Sequence, residues 1–227
     1  MADEPSREPA ATDGPGDPVR IRVDVWSDLV CPWCHIGLHR LRRVAAEARM
    51  AVDVVHHAFQ LDPERIGSGP TRDALARKYG AANVDALLAN ATSAGAAEGL
   101  HLRLGDSIAC NTHDGHRLVA FAATQGLQDA VVGRLMKAHF EESADLGDPG
   151  TLVRLAAEAG LPLAEAKAVL ADGGFGDEVD EDLDRARQMG VRGVPFFVFA
   201  GRYAFSGAQP DEAFREALRL ASVPATA

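Results

Sequence analysis

Three cysteines in 227 residues are too few for the disulfide framework of a small secreted domain. No apolar run approaches the ~20 residues of a membrane span. The N-terminus, Met-Ala-Asp-Glu-Pro-Ser-Arg, lacks the basic and apolar stretches of a secretory signal. These absences give the expectation of a cytoplasmic protein. In that compartment thiols are kept reduced, and a close cysteine pair is catalytic or metal-binding rather than structural. Positive charge is also short: 23 Lys and Arg stand against 33 Asp and Glu, a net charge of -10. A nucleic-acid partner would need a basic stripe, so none is expected, and no membrane partner either. Arg40, Arg42 and Arg43 come nearest to a basic cluster and read as a solvated helix face. No internal repeat is visible, and the sequence leaves the oligomeric state open.

The apolar fraction of 47% can support a sizeable core. Residues 1–18 carry almost no large apolar group and read as a disordered tail, and 223–227 form a short C-terminal tail. From 19 to 25 apolar and polar residues alternate with the period of a strand. Cys31-Pro32-Trp33-Cys34 follows, then a helical pattern over 32–49, with Pro32 tolerated in the first turn. A Val-rich run at 52–59 reads as a second strand, completing a βαβ unit.

Between about 70 and 190 the periodicity is helical only, and the punctuation suggests four to six short helices. Val132, Leu135, Met136 and Phe140 form one apolar stripe. Leu152, Leu155 and Ala156 form a second, and Leu163, Ala166, Val169 and Leu170 a third. Residues 195–199 and 203–205 read as a β-hairpin turning at Gly201, and 210–221 as a last helix. The layout is a split α/β domain, 19–61 and 190–222, with a helical subdomain inserted at 62–189.

Cys31 and Cys34 sit one turn apart at the start of a helix that follows a strand. That spacing lets the sulfurs bond without distorting the backbone. Free N–H groups and the positive end of the helix dipole favour a thiolate there. Cys31, nearest those groups and expected to be the more exposed, is the candidate nucleophile, and Cys34 the resolving thiol. Three other readings compete: two inert buried cysteines, a zinc site, and haem attachment through the formal C-x-x-C-H match that His35 completes. Zinc needs further ligands, and Cys110 is far away in sequence. Haem attachment needs an axial partner and an export route. Exchange chemistry fits the strand–motif–helix setting best.

Trp33 reads as an apolar rim for substrate and Trp26 as core. Asp24 and Asp28 lie on or just after the first strand. A buried acid beneath the sulfurs could take the proton of Cys34. Asp28 is expected in solvent, and Asp24 is undecided. His35 and His39 read as helix-face residues. Cys110, His113 and His116 are spaced by three, which would suit a metal, but Asn111 reads as a helix N-cap with Asp114 at the third position, and no metal site is assigned. Cys110 reads as a packed small side chain.

With these residues the chain resembles the DsbA-like branch of the thioredoxin superfamily. Three features carry the likeness: the strand–Cys-Pro-Trp-Cys–helix segment, the segment Gly193-Val194-Pro195-Phe196-Phe197-Val198, and the inserted helices. Asn111-Thr112-His113-Asp114-Gly115-His116-Arg117 and Phe205-Ser206-Gly207-Ala208-Gln209 are similar to the FrnE-type subgroup, named for a polyketide-pathway oxidoreductase. The resemblance implies a thioredoxin-like fold with a cis bond before Pro195. It also implies thiol–disulfide exchange on a thiol-containing protein or small molecule, and no cofactor beyond the Cys31–Cys34 disulfide, with glutathione as a conceivable co-substrate. Asn111 and His116 would line the pocket near Cys31, and the backbone of Val194 beside Pro195 would pair with an extended substrate.

The kappa-class glutathione transferases and 2-hydroxychromene-2-carboxylate isomerases share that fold, but carry Ser or a single reactive position where this chain has two cysteines. A glutathione-dependent isomerase or transferase is therefore the second reading, and a non-catalytic peptide-binding module the third. DsbA has a His between its cysteines; Trp33 brings no such charge. The reduction potential is therefore expected to be less oxidising than the ~-120 mV of DsbA. Equilibration against a glutathione buffer checks this, and a value near that of DsbA would contradict it.

Overall fold

The computed structural model describes residues 20–223, so the tails expected at 1–18 and, but for Val223, at 223–227 lie outside it. Strand β1 (Arg20–Ser27) leads through a short loop into helix α1 (Pro32–Glu47) and strand β2 (Ala51–Ala58). Ile21, Val23 and Val25 alternate inward along β1, with Arg20 and Arg22 outward. The strand runs two residues further than its alternation indicated, because Trp26 and Ser27 continue the parallel ladder onto His57 and Ala58.

A two-residue strand β3 (Gly69–Pro70) then pairs antiparallel with β4 (Ile108–Ala109), which overturns the reading of this region as helical throughout. Such a pairing is too short to show a period. Helices α2 (Thr71–Tyr79) and α3 (Val84–Ala97) lie between these strands. After β4 come α4 (His113–Thr124), α5 (Gln128–Glu142), α6 (Pro149–Glu158), α7 (Leu163–Asp172) and α8 (Gly176–Gln188). Among the described residues the region thus holds seven α-helices, not four to six. Glycines at φ of +85° (Gly80) and +74° (Gly173) end α2 and α7; the second break agrees with the Gly-Gly punctuation at 173–174, whereas the first rests on a lone glycine. The first two apolar stripes are buried as expected. In the third Ala166 is buried but Leu163, in the first turn of α7, is exposed.

The chain closes with β5 (Phe196–Phe199), β6 (Tyr203–Ser206) and α9 (Asp211–Ala221). The four-stranded sheet has the order β2-β1-β5-β6, with β5 antiparallel to β1 from Val23↔Phe199 to Trp26↔Phe196. Phe197, Phe199, Phe205 and Phe214 pack as one aromatic cluster that seats α9 on the hairpin. Phe197, Phe199 and Phe214 are fully buried, and each contributes about 1.5–3 kcal/mol by burial. No helix among the described residues is long and apolar enough to cross a membrane.

The arginines of α1 are not a solvated face. Arg40 Nε donates to Glu98 Oε1 at 2.8 Å, and its Nη1 donates to the carbonyls of Ala208 and Gln209. Arg43 bonds Glu98 and Asp211. Burial of Glu98 opposes its charge, but the two guanidiniums outweigh that and hold its pKa below the ordinary value. This charge cluster ties α1 to the end of α3 and the start of α9. Arg42 lies outside that cluster, half-exposed and paired with Asp129.

His35 stacks on Phe140 and His139 meets its edge. Burial lowers the pKa of each to about 4. Both are neutral in the folded state, so their contribution is complete above the ordinary value near 6.5 and is lost as pH falls from there towards 4. The loss is at most about 3 kcal/mol per group. Thermal unfolding should therefore move to lower temperature between pH 7 and pH 4.5, and His139→Leu should shrink that drop. A drop of unchanged size in His139→Leu would refute the assignment.

Candidate active site

Two loops make the site. One joins β1 to α1. In it the N–H of Cys31 donates to the carbonyl of Asp28 at 3.1 Å, and Cys31 becomes the N-cap residue of α1, with Pro32 at the first helical position. The carbonyl of Cys31 then accepts from the N–H groups of Cys34 and His35. The other loop precedes β5. Its Val194–Pro195 peptide is cis, and the carbonyl of Pro195 accepts from the N–H of Gly207 at 2.7 Å. The Sγ of Cys31 lies 3.8 Å from the carbonyl oxygen of Val194. Residues 31 and 194 thus meet across most of the chain.

Both thiols are free, and both are buried: Cys31 is 4% exposed and Cys34 0%. The order matches the expectation, but Cys31 is not an open surface thiol. Burial pushes the Cys34 thiol well up. A hydrogen bond to the Cys31 sulfur and that sulfur's charge add to the rise, the backbone of Asp28 opposes it, and the Asp28 carboxylate adds a little more. Cys34 therefore resists ionising while Cys31 carries charge. Trp33 is half-buried and, with Leu75, Tyr79, Leu88 and Phe140, lines a cavity of about 210 Å³ that opens onto Cys31.

Asp28 is not in solvent; it is 1% exposed. Its Oδ2 accepts from the N–H of Leu61 at 2.7 Å and its Oδ1 from that of Val30 at 3.4 Å. These amides satisfy a buried carboxylate whose partner at 61 is too distant in sequence to be foreseen. His116 is buried beside it, 3.9 Å from Oδ1, with Nε2 donating to the carbonyl of Phe59. His116 thus stands behind Asp28 rather than on the wall of the Cys31 cavity.

Asn111 does not line that cavity. Its Oδ1 accepts from Gln60 and from the N–H of His113, and its Nδ2 donates to the carbonyl of Pro63, on the rim of a separate cavity of about 410 Å³. The N-cap of α4 is Thr112, so Asn111 caps from one residue earlier and makes no reciprocal box with Asp114, which pairs with Arg117 instead. Burial drives the Cys110 thiol up to about 12, with Asp145 adding to it. Among the described residues no three His, Cys, Asp or Glu side chains are placed to hold a metal.

One cluster escaped the sequence entirely. His57 is held between Asp182, 2.6 Å from Nδ1, and Asp24, 2.9 Å from Nε2, and stacks on Trp26 at 4.2 Å. Burial opposes its charge, yet the two carboxylates hold its pKa above the ordinary value. The N–H of Ala58 also donates to Asp182, so the cluster pins α8 to the edge of the sheet. Asp24 is engaged there and with Arg22, not with the sulfurs. Nothing in the local sequence couples positions 24, 57 and 182.

The DSBA-like thioredoxin domain model matches residues 22–219. Among solved structures, the probable DsbA oxidoreductase of Streptomyces coelicolor is 38% identical, over 91% of this chain and 93% of that one, with a TM-score of 0.84. A 2-hydroxychromene-2-carboxylate isomerase is 16% identical over 88% and 95%, TM-score 0.67. The cytosolic disulfide reductase DsbM of Pseudomonas aeruginosa, solved with GSH, is 22% identical over 88% and 98%, TM-score 0.58. The last two, at such identities, share the fold alone. No curated protein matches the chain. On the family match and the Streptomyces relative together, the chain belongs to the DsbA-like thioredoxin-domain family.

Proposed function

We propose that the chain is a cytoplasmic dithiol–disulfide oxidoreductase that exchanges Cys31 and Cys34 with a protein or small-molecule thiol. Within its family we assign it to the FrnE-type subgroup, on the segments 111–117 and 205–209. The observation that carries the reading is the pairing of Cys31, at the helix N-terminus against the Val194 carbonyl, with Cys34 wholly buried one turn behind it. In the oxidising direction for the enzyme, the Cys31 thiolate attacks one sulfur of a substrate disulfide. A Cys31–substrate disulfide forms, and the other substrate sulfur leaves as a thiolate. Cys34 then loses its proton and attacks the Cys31 sulfur, which expels the second substrate thiolate and leaves the Cys31–Cys34 disulfide. Two electrons pass from the enzyme dithiol to the substrate, and the reverse sequence oxidises a substrate dithiol. The backbone of half-buried Val194 is suited to hold an extended substrate by strand-like bonds. No cofactor is required; glutathione is a suitable co-substrate by size and chemistry.

Cys31→Ser and Cys34→Ser should each reduce insulin at background rate only. Cys34→Ser should also trap a Cys31 mixed disulfide with glutathione, visible as added mass, and Cys31→Ser should not. Isomerase turnover that survives in Cys34→Ser, without exchange by the wild type, would favour the glutathione-dependent isomerase reading. Peptide affinity without turnover would favour a binding module.

Asp28→Asn keeps an acceptor for the Leu61 amide but removes the charge that opposes a Cys34 thiolate. The pH midpoint for release of a chromophoric thiol from its Cys31 mixed disulfide should fall. An unshifted profile would contradict the coupling.

A further inference from the structure

The cavity at Cys31 adjoins a second one. The wall that carries Val30, Leu61, Thr71, Leu75 and Tyr79 is shared with a neighbouring cavity of about 390 Å³. The two differ in chemistry. The chamber at Cys31 is apolar and aromatic, and the neighbouring one is rimmed by Arg65, Arg77 and Lys78. Arg65 is paired with Asp62. Lys78 Nζ lies 3.5 Å from the carbonyl oxygen of Leu61 and 5.6 Å from the ring centroid of Tyr79, but neither it nor Arg77 has a carboxylate within 4.0 Å among the described residues. Two cations without a carboxylate partner at one mouth stand out in a chain of net charge -10. Leu61, Tyr79 and Leu87 are large apolar residues left 38%, 48% and 39% exposed, and all three line the chamber at Cys31. An apolar patch of this kind, rimmed by charge, marks a binding surface.

We propose that this double chamber binds a small amphipathic thiol or disulfide, an apolar or aromatic body with a carboxylate, and that Arg77 and Lys78 determine its specificity. The body fills the chamber lined by Trp33, Leu75 and Phe140, and places its sulfur at Cys31. The carboxylate reaches the cationic rim of α2. A small substrate fits better than a polypeptide because Cys31 is 4% exposed and is reached through a chamber of about 210 Å³. The inference rests on the exchange reading above and names its substrate class. The chemistry is the sequence already given: one substrate disulfide and the enzyme dithiol yield two substrate thiolates, the Cys31–Cys34 disulfide and two protons.

The test uses the full reduced chain and three disulfides: 5,5′-dithiobis(2-nitrobenzoate), which is aromatic and carries carboxylates, the uncharged 4,4′-dithiodipyridine, and hydroxyethyl disulfide. Each rate is divided by that of free cysteine with the same reagent. The carboxylate reagent should be favoured over the uncharged aromatic one despite the chain's negative charge, and added salt should erode the preference. Arg77→Gln combined with Lys78→Gln should cut the ratio of the two by about three- to tenfold. Leu87→Trp should slow both aromatic reagents relative to hydroxyethyl disulfide. Equal normalised rates with a ratio that the double variant leaves alone would overturn the proposal while exchange itself stands. Reduction of insulin at a higher normalised rate than either aromatic reagent would overturn it in favour of a polypeptide substrate. No reaction with any disulfide would remove the exchange reading, and this one with it.

Discussion

Strand β1 carries a hydrogen-bonded neighbour along each edge, and the site depends on that double pairing. On one side β2 runs parallel, reached through α1; on the other β5 runs antiparallel, reached only after the whole helical region. β1 feeds the loop that ends at Cys31, and β5 begins one residue after Pro195. The pairing Trp26↔Phe196 therefore brings the two loops together as a matter of sheet register. Gly37 sets how close they come. A Cβ there would lie 3.1 Å from Pro195 Cγ and 3.2 Å from Phe197 Cζ, so α1 rests on the proline loop where its sequence has no side chain. A sulfur–carbonyl contact fixed by register and helix packing is held more firmly than one between two free loops.

Besides apolar packing, charged side chains that are buried or half-buried tie distant segments to this frame. Glu98 between Arg40 and Arg43, Asp182 on His57 and the Ala58 amide, and Asp28 on the Leu61 amide each link segments far apart in sequence. Apolar contact alone tolerates sliding, whereas a buried carboxylate is satisfied in one arrangement only. The Asp28 link has the most direct consequence. It anchors the chain at Leu61, and Leu61 lines both chambers beside Cys31. The wall of the site is thus hung from an acid that also acts on Cys34.

What was legible in the sequence is what is local. The alternation over 19–25, the cysteine spacing, the Pro-Phe-Phe run and the stripe on α5 each need only a few neighbouring residues to be read. What was not legible depends on partners elsewhere. Asp28 reads as a loop acid because the amide that satisfies it is 33 residues away. Arg40 and Arg43 look like surface charge because Glu98 and Asp211 cannot be paired with them from the sequence. Asn111 was placed near Cys31 by resemblance, yet its amide is spent on Gln60, His113 and Pro63. The helix count is under-read for a different reason: α2 ends on Gly80, a lone glycine at positive φ that the apolar pattern does not mark.

The electrostatics of the pair also order the chemistry. The charge on Cys31 is one of the influences that keep Cys34 protonated, together with burial and the hydrogen bond between the two sulfurs. Formation of a mixed disulfide on Cys31 removes that charge and that bond at once, while the burial of Cys34 is unchanged. In the exchange proposed above, Cys34 would become easier to ionise once Cys31 has captured a substrate, which is when its attack is needed. Before capture its burial and the neighbouring sulfur favour the protonated form. Two cysteines one helical turn apart therefore suffice for an ordered two-step exchange, provided that the second is buried and the first is not shielded from its substrate. The chamber beside Cys31 supplies that access.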